Sequence, residues 1–466
     1  MRVVRGGGWI LAAAALSVAA LPASADTIET ALVQAYQNNP QINAQRALVR
    51  ATDENIPQAL SGYRPRISAT ATYGAQYIDS KTTTTTAGGQ NVVVNQQGWN
   101  DPRSVGATLS QTLFNGFQTG NRTRQAESQS SAARETLRVI EQTVLLDAAT
   151  AFMNVLRDSA TLDLQRRNVE VIQEQLRQTR DRFNVGEVTR TDVAQAESRV
   201  AAAQSQMLAA QSNLATSKAA YRRIIGVDPG RLSAGTPVDR LSPRTLALAI
   251  SQGQAENPSV TAAEYGVDVA ALQVKVNEGA LYPVVTVQAS AQQNYDSSVN
   301  SSRQFAGAVI GQVTVPIYQG GSEFSLIRQA KETVSQKRLE LAQNRDQARA
   351  NVVQSWAQLD AAKAQIEATK AQVAAAEIAL NGVREEARVG QRTTLDVLNA
   401  QQELVNARVA LVTAQRDRVV ASYTLLSAVG RLSIPVLGLQ VPLYDPMVHY
   451  QQVRDAWTGV RTPDGK

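Results

Sequence analysis

The sequence predicts an α+β membrane protein built from a duplicated unit of helix, β-hairpin and long helical hairpin. Three observations lead there. The chain repeats itself at an offset of 204 residues, the hydrophobic period in each copy switches from two to seven, and aromatic residues gather at both ends of the short-period stretches.

The repeat sets the architecture. Phe183-Asn184-Val185-Gly186 returns as Ala387-Arg388-Val389-Gly390, and Thr191-Asp192-Val193 returns as Leu395-Asp396-Val397. The offset holds without a gap from Val105/Val309 to Gly226/Gly430. Upstream it becomes 218, matching Asn39-Pro40 with Asn257-Pro258 and Tyr63-Arg64-Pro65 with Leu281-Tyr282-Pro283. The difference falls between Pro65 and Val105, so the first copy carries the longer loop. Two units follow, 26–226 and 245–431. They are joined by a linker at 227–244 with Asp228-Pro229-Gly230 and Gly235-Thr236-Pro237 turn signals, and followed by a tail at 432–466.

At the N-terminus, Arg2 and Arg5 precede a short apolar core, and Ala23-Ser24-Ala25 has the small-residue form of a cleavage site. Residues 1–25 read as an export signal, with a mature chain from Asp26. No later stretch reads as a membrane-spanning helix, so membrane contact falls to strands. There is no cysteine and one histidine, His449. Disulfides, a lipid-modified cysteine and an imidazole cluster are excluded, and no Gly-rich phosphate loop follows a strand. Neither an enzyme nor a cofactor or metal is expected. The net charge of +6 is spread as mixed signs along helical stretches, which is a solvated surface and no nucleic-acid footprint.

Each unit opens with a helix, expected over 27–60 in the first. A hairpin follows at 65–114. From 67 to 77, Ile67, Ala69, Ala71, Tyr73, Ala75 and Tyr77 alternate with polar residues, and 105–114 alternates likewise. The second hairpin, 284–318, has strands at 284–292 and 309–317. Polar loops are expected at 82–100 and 296–303. Alternation alone also fits edge hairpins of a soluble sheet. Tyr63, Phe114, Phe117, Tyr282 and Tyr318 fall at one end of the strands, and Tyr77, Trp99, Tyr295 and Phe305 at the other. Two such levels around an apolar band point to a transmembrane barrel. Four strands cannot close one, so several chains must pool their hairpins.

Beyond the hairpins the period is seven. Val155, Leu162, Val169, Leu176 and Phe183 recur as Leu359, Ile366, Val373, Leu380 and Ala387. Val193, Val200, Met207, Leu214 and Tyr221 continue past the first turn, as Val397, Leu404, Leu411 and Leu425 do past the second, broken only by Arg418. Antiparallel coiled-coil hairpins are expected, with a long helix of about 100 Å over 118–182 and a return helix at 189–225.

With these residues in place, the chain resembles the TolC family of outer-membrane efflux and secretion ducts. The resemblance covers nearly all of the mature chain and is most specific at Leu113-Phe114-Asn115-Gly116, Ile317-Tyr318-Gln319-Gly320-Gly321 and the two Val-Gly turns. It implies a homotrimer in the outer membrane, with a 12-stranded β-barrel stacked on a periplasmic α-helical barrel. It also implies a periplasmic adaptor, contacted by the tip turns Val185-Gly186 and Val389-Gly390, and an inner-membrane transporter of ABC or RND type. At the tips, Thr189-x-x-Asp192 and Thr393-x-x-Asp396 read as capping boxes. The resemblance adds a gate, in which Asp192 pairs with Arg392 of a neighbouring helix pair and Asp396 lines the entrance. Asn399 replaces a second family acid, so a single acidic ring is expected. Tyr444-Asp445-Pro446, His449-Tyr450 and Trp457 resemble tails of ducts paired with type I protein secretion, which favours protein cargo. Small-molecule efflux is the alternative, and a periplasmic coiled-coil adaptor or scaffold a more distant one.

Overall fold

The computed structural model describes residues 26–298, 301–463 and 465; the export signal expected at 1–25 lies outside them. The first repeat runs α1 (Ile28–Asn38), α2 (Pro40–Asp53), α3 (Asn55–Leu60), β1 (Arg66–Tyr73), β2 (Gln76–Thr85), β3 (Asn91–Asn100), β4 (Arg103–Asn115), α4 (Gln118–Asn184) and α5 (Arg190–Ile225). The second runs α6 (Leu246–Glu256), α7 (Pro258–Gly279), β5 (Val284–Ser298), β6 (Ser301–Thr314), α8 (Ser322–Arg388) and α9 (Thr394–Ala428). The tail adds α10 (Ile434–Leu437) and α11 (Pro446–Val453).

The single helix expected over 27–60 is three helices. Proline disfavours helical geometry in the residue before it, and Asn39 is accordingly extended at φ −65°, ψ 123°. Asn257 before Pro258 is the same, at φ −69°, ψ 121°. Each asparagine caps the helix that follows, accepting from the N–H of Gln41 (2.8 Å) or Ser259 (3.0 Å). Each also donates to the end of a return helix, Asn39 to the Ile224 carbonyl (2.8 Å) and Asn257 to that of Ala428 (3.0 Å). The repeated Asn-Pro is therefore a staple between the two ends of each unit.

The barrel sheet has the antiparallel order β1-β4-β5-β6. Its register separates two faces. Ile67, Leu109, Ala289 and Val309 lie in one row, with Ala69, Ala107, Ala291 and Gly307 in the next on the same side. Ser68, Thr108, Ser290 and Ala308, then Thr70, Gly106, Gln292 and Ala306, form the opposite, more polar side. A register shift between Thr112 and Phe114 inserts Leu113 as a bulge and pairs Phe114 with Val285. In an unshifted register Leu113 would face Val285, and Phe114, opposite Val284, would turn to the polar side.

Two hairpin expectations change. The polar stretch 82–100 is mostly strand: β2 and β3 form a separate two-stranded ribbon, Tyr77 opposite Trp99 and Thr83 opposite Val93. Threonine and valine favour extended backbone, and a ribbon with both faces in water shows no alternation to read. The chain kinks into it at Gly74, whose N–H donates to the Pro102 carbonyl (3.0 Å). In the second hairpin the strands reach Ser298 and Ser301, so most of the loop expected at 296–303 is sheet. Conversely, 315–318 leaves the sheet, and Ile317 is 95% exposed.

The long helices α4 and α8 have 67 residues each, about 100 Å. The heptad series packs at Val155, Leu162 and Val169, whereas Phe183 at the tip is exposed. A second, unforeseen series completes the seam. Ala196, Ala203 and Ala210 are 0–5% exposed, and in the second repeat Ala407 and Ala414, the equivalents of Ala203 and Ala210, are buried along with Ala421 one heptad further on. Alanine at every seventh position lets the return helix lie close to its partner, which leaves no space for larger side chains.

The main core lies midway along the rod, where α1, α2, α4, the ends of α5 and α9, and the start of the tail meet around Leu145, Phe152, Tyr221, Tyr423 and Leu432. This core also corrects one expectation. An 18-residue stretch of α4 is apolar enough to cross a membrane by composition, with mean hydropathy 1.3, and half of it is buried inside the protein.

Candidate periplasmic entrance

At the end of each long helix, Gly186 and Gly390 take φ of 84° and 80°, the left-handed region where a Cβ is strained. The reversal they allow leaves Val185 and Val389 72% and 70% exposed. Both glycines have open space around them, so backbone conformation alone selects the residue type.

Each return helix then starts on a closed capping box. The Thr189 hydroxyl donates to Asp192 Oδ2 (2.8 Å) and accepts from the Asp192 N–H (3.3 Å), while the Thr189 N–H donates to Asp192 Oδ2 (2.9 Å). Thr393 and Asp396 repeat this at 2.8, 3.2 and 3.0 Å. The bonds hold both carboxyls below the usual carboxylate range, chiefly through the Thr189 hydroxyl for Asp192 and the Thr393 N–H for Asp396.

The tips also carry ion pairs of opposite polarity. Arg182 Nε meets Glu187 Oε2 at 2.9 Å in the first, and Arg392 Nε meets Glu386 Oε2 at 2.8 Å in the second. Positions 182 and 386 are repeat equivalents, so the same position in the last turn of the long helix is a cation in one copy and an anion in the other. Within the chain Arg392 is thus held by Glu386, and no ion pair joins it to Asp192. The sequence reading missed Glu386, although opposite charges flanking a Val-Gly turn were a usable signal.

Just above the tips the two hairpins interlock. Leu398 of α9, 2% exposed, packs with Val169 and Ile172 of α4 and Ala196 and Ala203 of α5. Gln401 Nε2 donates to Asn168 Oδ1 (3.4 Å) and its Oε1 accepts from Arg384 (3.0 Å). Asn399 is engaged too, accepting from Arg199 of α5 (2.7 Å). A groove of about 750 Å³ near these contacts is lined by Glu174, Gln178, Arg182, Glu187, Arg384 and Arg388 among others. Mixed charges of this kind suit a polar protein surface. Among the described residues no group of three or more His, Cys, Asp or Glu is placed to hold a metal.

The caps give a test. Thr189→Ala or Thr393→Ala should destabilise its helix start by about 1 kcal/mol and raise amide exchange in the first turn. A carboxyl with a depressed folded pKa contributes stability above its unfolded value, about 3.9, and loses it as pH falls through the folded value. First-turn protection at 190–193 and 394–397, corrected for intrinsic exchange, should therefore be flat from pH 7 to about 5 and drop below about 4.

Residues 31–227 and 249–431 match the family described as outer membrane efflux protein. The chain is 41% identical over 445 residues to the outer membrane efflux protein BepC of Brucella suis, spanning 95% of this chain and 94% of that protein. It is 26% identical over 438 residues to the outer membrane protein TolC of Vibrio cholerae, spanning 91% and 95%. Among solved structures, the outer membrane protein VceC of Vibrio cholerae superposes with a TM-score of 0.72 at 20% identity, covering 86% of this chain and 96% of that one. The duplicated rod, the open four-stranded sheet and this family match lead to one assignment: the chain belongs to the outer membrane efflux protein family, an outer-membrane channel protein with a long periplasmic extension.

Proposed function

We propose that three copies of this chain form the non-catalytic exit duct of a tripartite export machine, receiving cargo from an inner-membrane transporter through a periplasmic adaptor. The observation that carries the ring is an asymmetry between equivalent helices. α4 buries twenty residues and α8, of equal length, only ten. The difference reflects cover from the other repeat: α7 and α9 pack on α4, and within one chain nothing equivalent packs on α8. Gln125 of α4, for example, donates to Gln273 Oε1 of α7 (3.0 Å). By the two offsets its counterparts are Gln329 and Asn55, both exposed. A neighbouring first repeat placed on α8 brings them together and pairs β6 with the neighbour's β1. Such a head-to-tail contact closes into a ring around a channel.

The chain has no cysteine, so Asn55→Cys with Gln329→Cys should give, on oxidation, a covalent ladder ending at the trimer. Each single variant should give none. Absence of the ladder in properly folded double variant would reject the ring.

At the entrance we infer that Arg392 and Asp192 meet across helix pairs, with Asp396 facing the opening. Glu386 then competes with Asp192 for Arg392. Each such exposed pair contributes little, and three interfaces multiply the effect. Arg392→Ser should raise planar-bilayer conductance, and adding Asp192→Ala should add little. Unchanged conductance in both would leave these residues as caps and turn pairs only.

For cargo, the tail favours a secreted protein, with efflux of small molecules the alternative; the name of the Brucella relative says efflux and names no cargo. Deleting the gene separates the two. Protein export predicts loss of particular secreted proteins with drug sensitivity near wild type. Hypersensitivity to several drugs with an unchanged secreted proteome selects efflux.

A further inference from the structure

The tail returns along the first repeat toward the membrane, held by three arginine–aromatic contacts. The Tyr444 N–H donates to Tyr36 Oη (3.2 Å), and its ring lies 5.1 Å from the Arg46 guanidinium. Next, α11 sets Tyr450 5.0 Å from the Arg134 guanidinium. His449, 7% exposed, places Nδ1 3.4 Å from the buried Asp53 carboxylate, which also takes Arg134 (3.1 Å) and the Ser130 hydroxyl. The last contact is Trp457, 4.6 Å from the Arg64 guanidinium, which also donates to the Ala456 carbonyl (2.6 Å).

Arg64 follows Tyr63 and stands two residues before β1. Trp457, although remote in sequence, therefore sits at the lower aromatic level with Tyr63, Phe117, Tyr282 and Tyr318, all more than half exposed. The chain beyond it is uncovered: Trp457 is 68% exposed and Val460 101%, with Arg461 exposed beside it. Indole rings favour the water–lipid boundary, and arginine can cover apolar surface while its head meets phosphate.

We propose that residues 456–461 form a membrane-interface anchor, in which Trp457 and Val460 enter the headgroup layer of the periplasmic phospholipid leaflet. Arg64 and Arg461 then lie at the level of its phosphates. The strap fits the outer side of the duct, because on the bore side it would narrow the conduit. Asp455 on the same segment offsets part of the positive charge, so insertion rests on the apolar pair and depends little on anionic lipid. Among the described residues no equivalent strap lies on the second repeat, so each chain contributes one anchor, beside α3.

The test uses the assembled protein in nanodiscs, expressed as 26–466 behind a cleavable leader to exclude Trp9. With Trp99→Phe and Trp356→Phe, the remaining Trp457 should be quenched severalfold more by phospholipid brominated at shallow acyl positions than a Trp356-only variant is. Because the chain has no cysteine, Val460→Cys carrying a nitroxide gives a second readout that keeps all tryptophans. Its collisions with lipid-soluble oxygen should exceed those with a water-soluble nickel chelate, relative to a label at exposed Leu208. Quenching equal to the Trp356-only control, or a label at 460 as open to nickel as one at 208, would overturn the anchor and leave the segment to solvent, the bore or a protein partner.

Discussion

A four-stranded sheet that crosses lipid cannot keep open edges, because each unpaired backbone group in hydrocarbon costs several kcal/mol. The order β1-β4-β5-β6 leaves the outer edges of β1 and β6 unpaired in one chain, and most of the remaining architecture answers to that. The two hairpins pair with each other inside the chain through β4 and β5, so a neighbour has to supply the last ladder on each side. The helices beneath inherit the same arrangement. The second repeat covers the first, while the matching face of α8 waits for another copy.

Fidelity of that stacking depends on fixing each rod at both ends. At the base of the barrel, Gly116 has φ 64°, and a Cβ there would lie 2.1 Å from the Gly279 carbonyl oxygen. The end of β4 and the end of α7 therefore touch backbone to backbone. Midway, the Asn-Pro staples join each first helix to its return helix. Near the tips, Leu398 and the Asn168–Gln401–Arg384 contacts bind one hairpin to the other. Between these points the alanine seam keeps paired helices close along their length, while exposed side-chain ion pairs add little.

Polarity reversal at the tips bears on how a closed entrance could open. Arg392 has a partner in its own turn, so separating it from a neighbour would not leave it unpaired. Exchange between two carboxylates demands less than breaking one pair outright, because the guanidinium keeps a hydrogen-bonded anion throughout. The caps remain intact in either state, since Thr189 and Thr393 hold Asp192 and Asp396 independently of Arg392.

Some of this was legible in the chain alone. The duplication, the period-seven helices, the Val-Gly turns and both capping boxes depend on residues close in sequence, where spacing and backbone preference decide the outcome. The first helix was misread as continuous although Pro40 was visible, and the ribbon was missed because Thr82–Thr85 and Val92–Val94 have no buried face to impose alternation. Other features depend on groups brought together from distant positions. Only the tertiary structure decided that Leu113 is a bulge turning Phe114 outward, that Glu386 holds Arg392, and that Arg64 carries Trp457 to the foot of the barrel. The repeat fixed what each unit is, because local periodicity is written residue by residue. How the units and tail meet was set by packing between segments hundreds of residues apart, which no local pattern encodes.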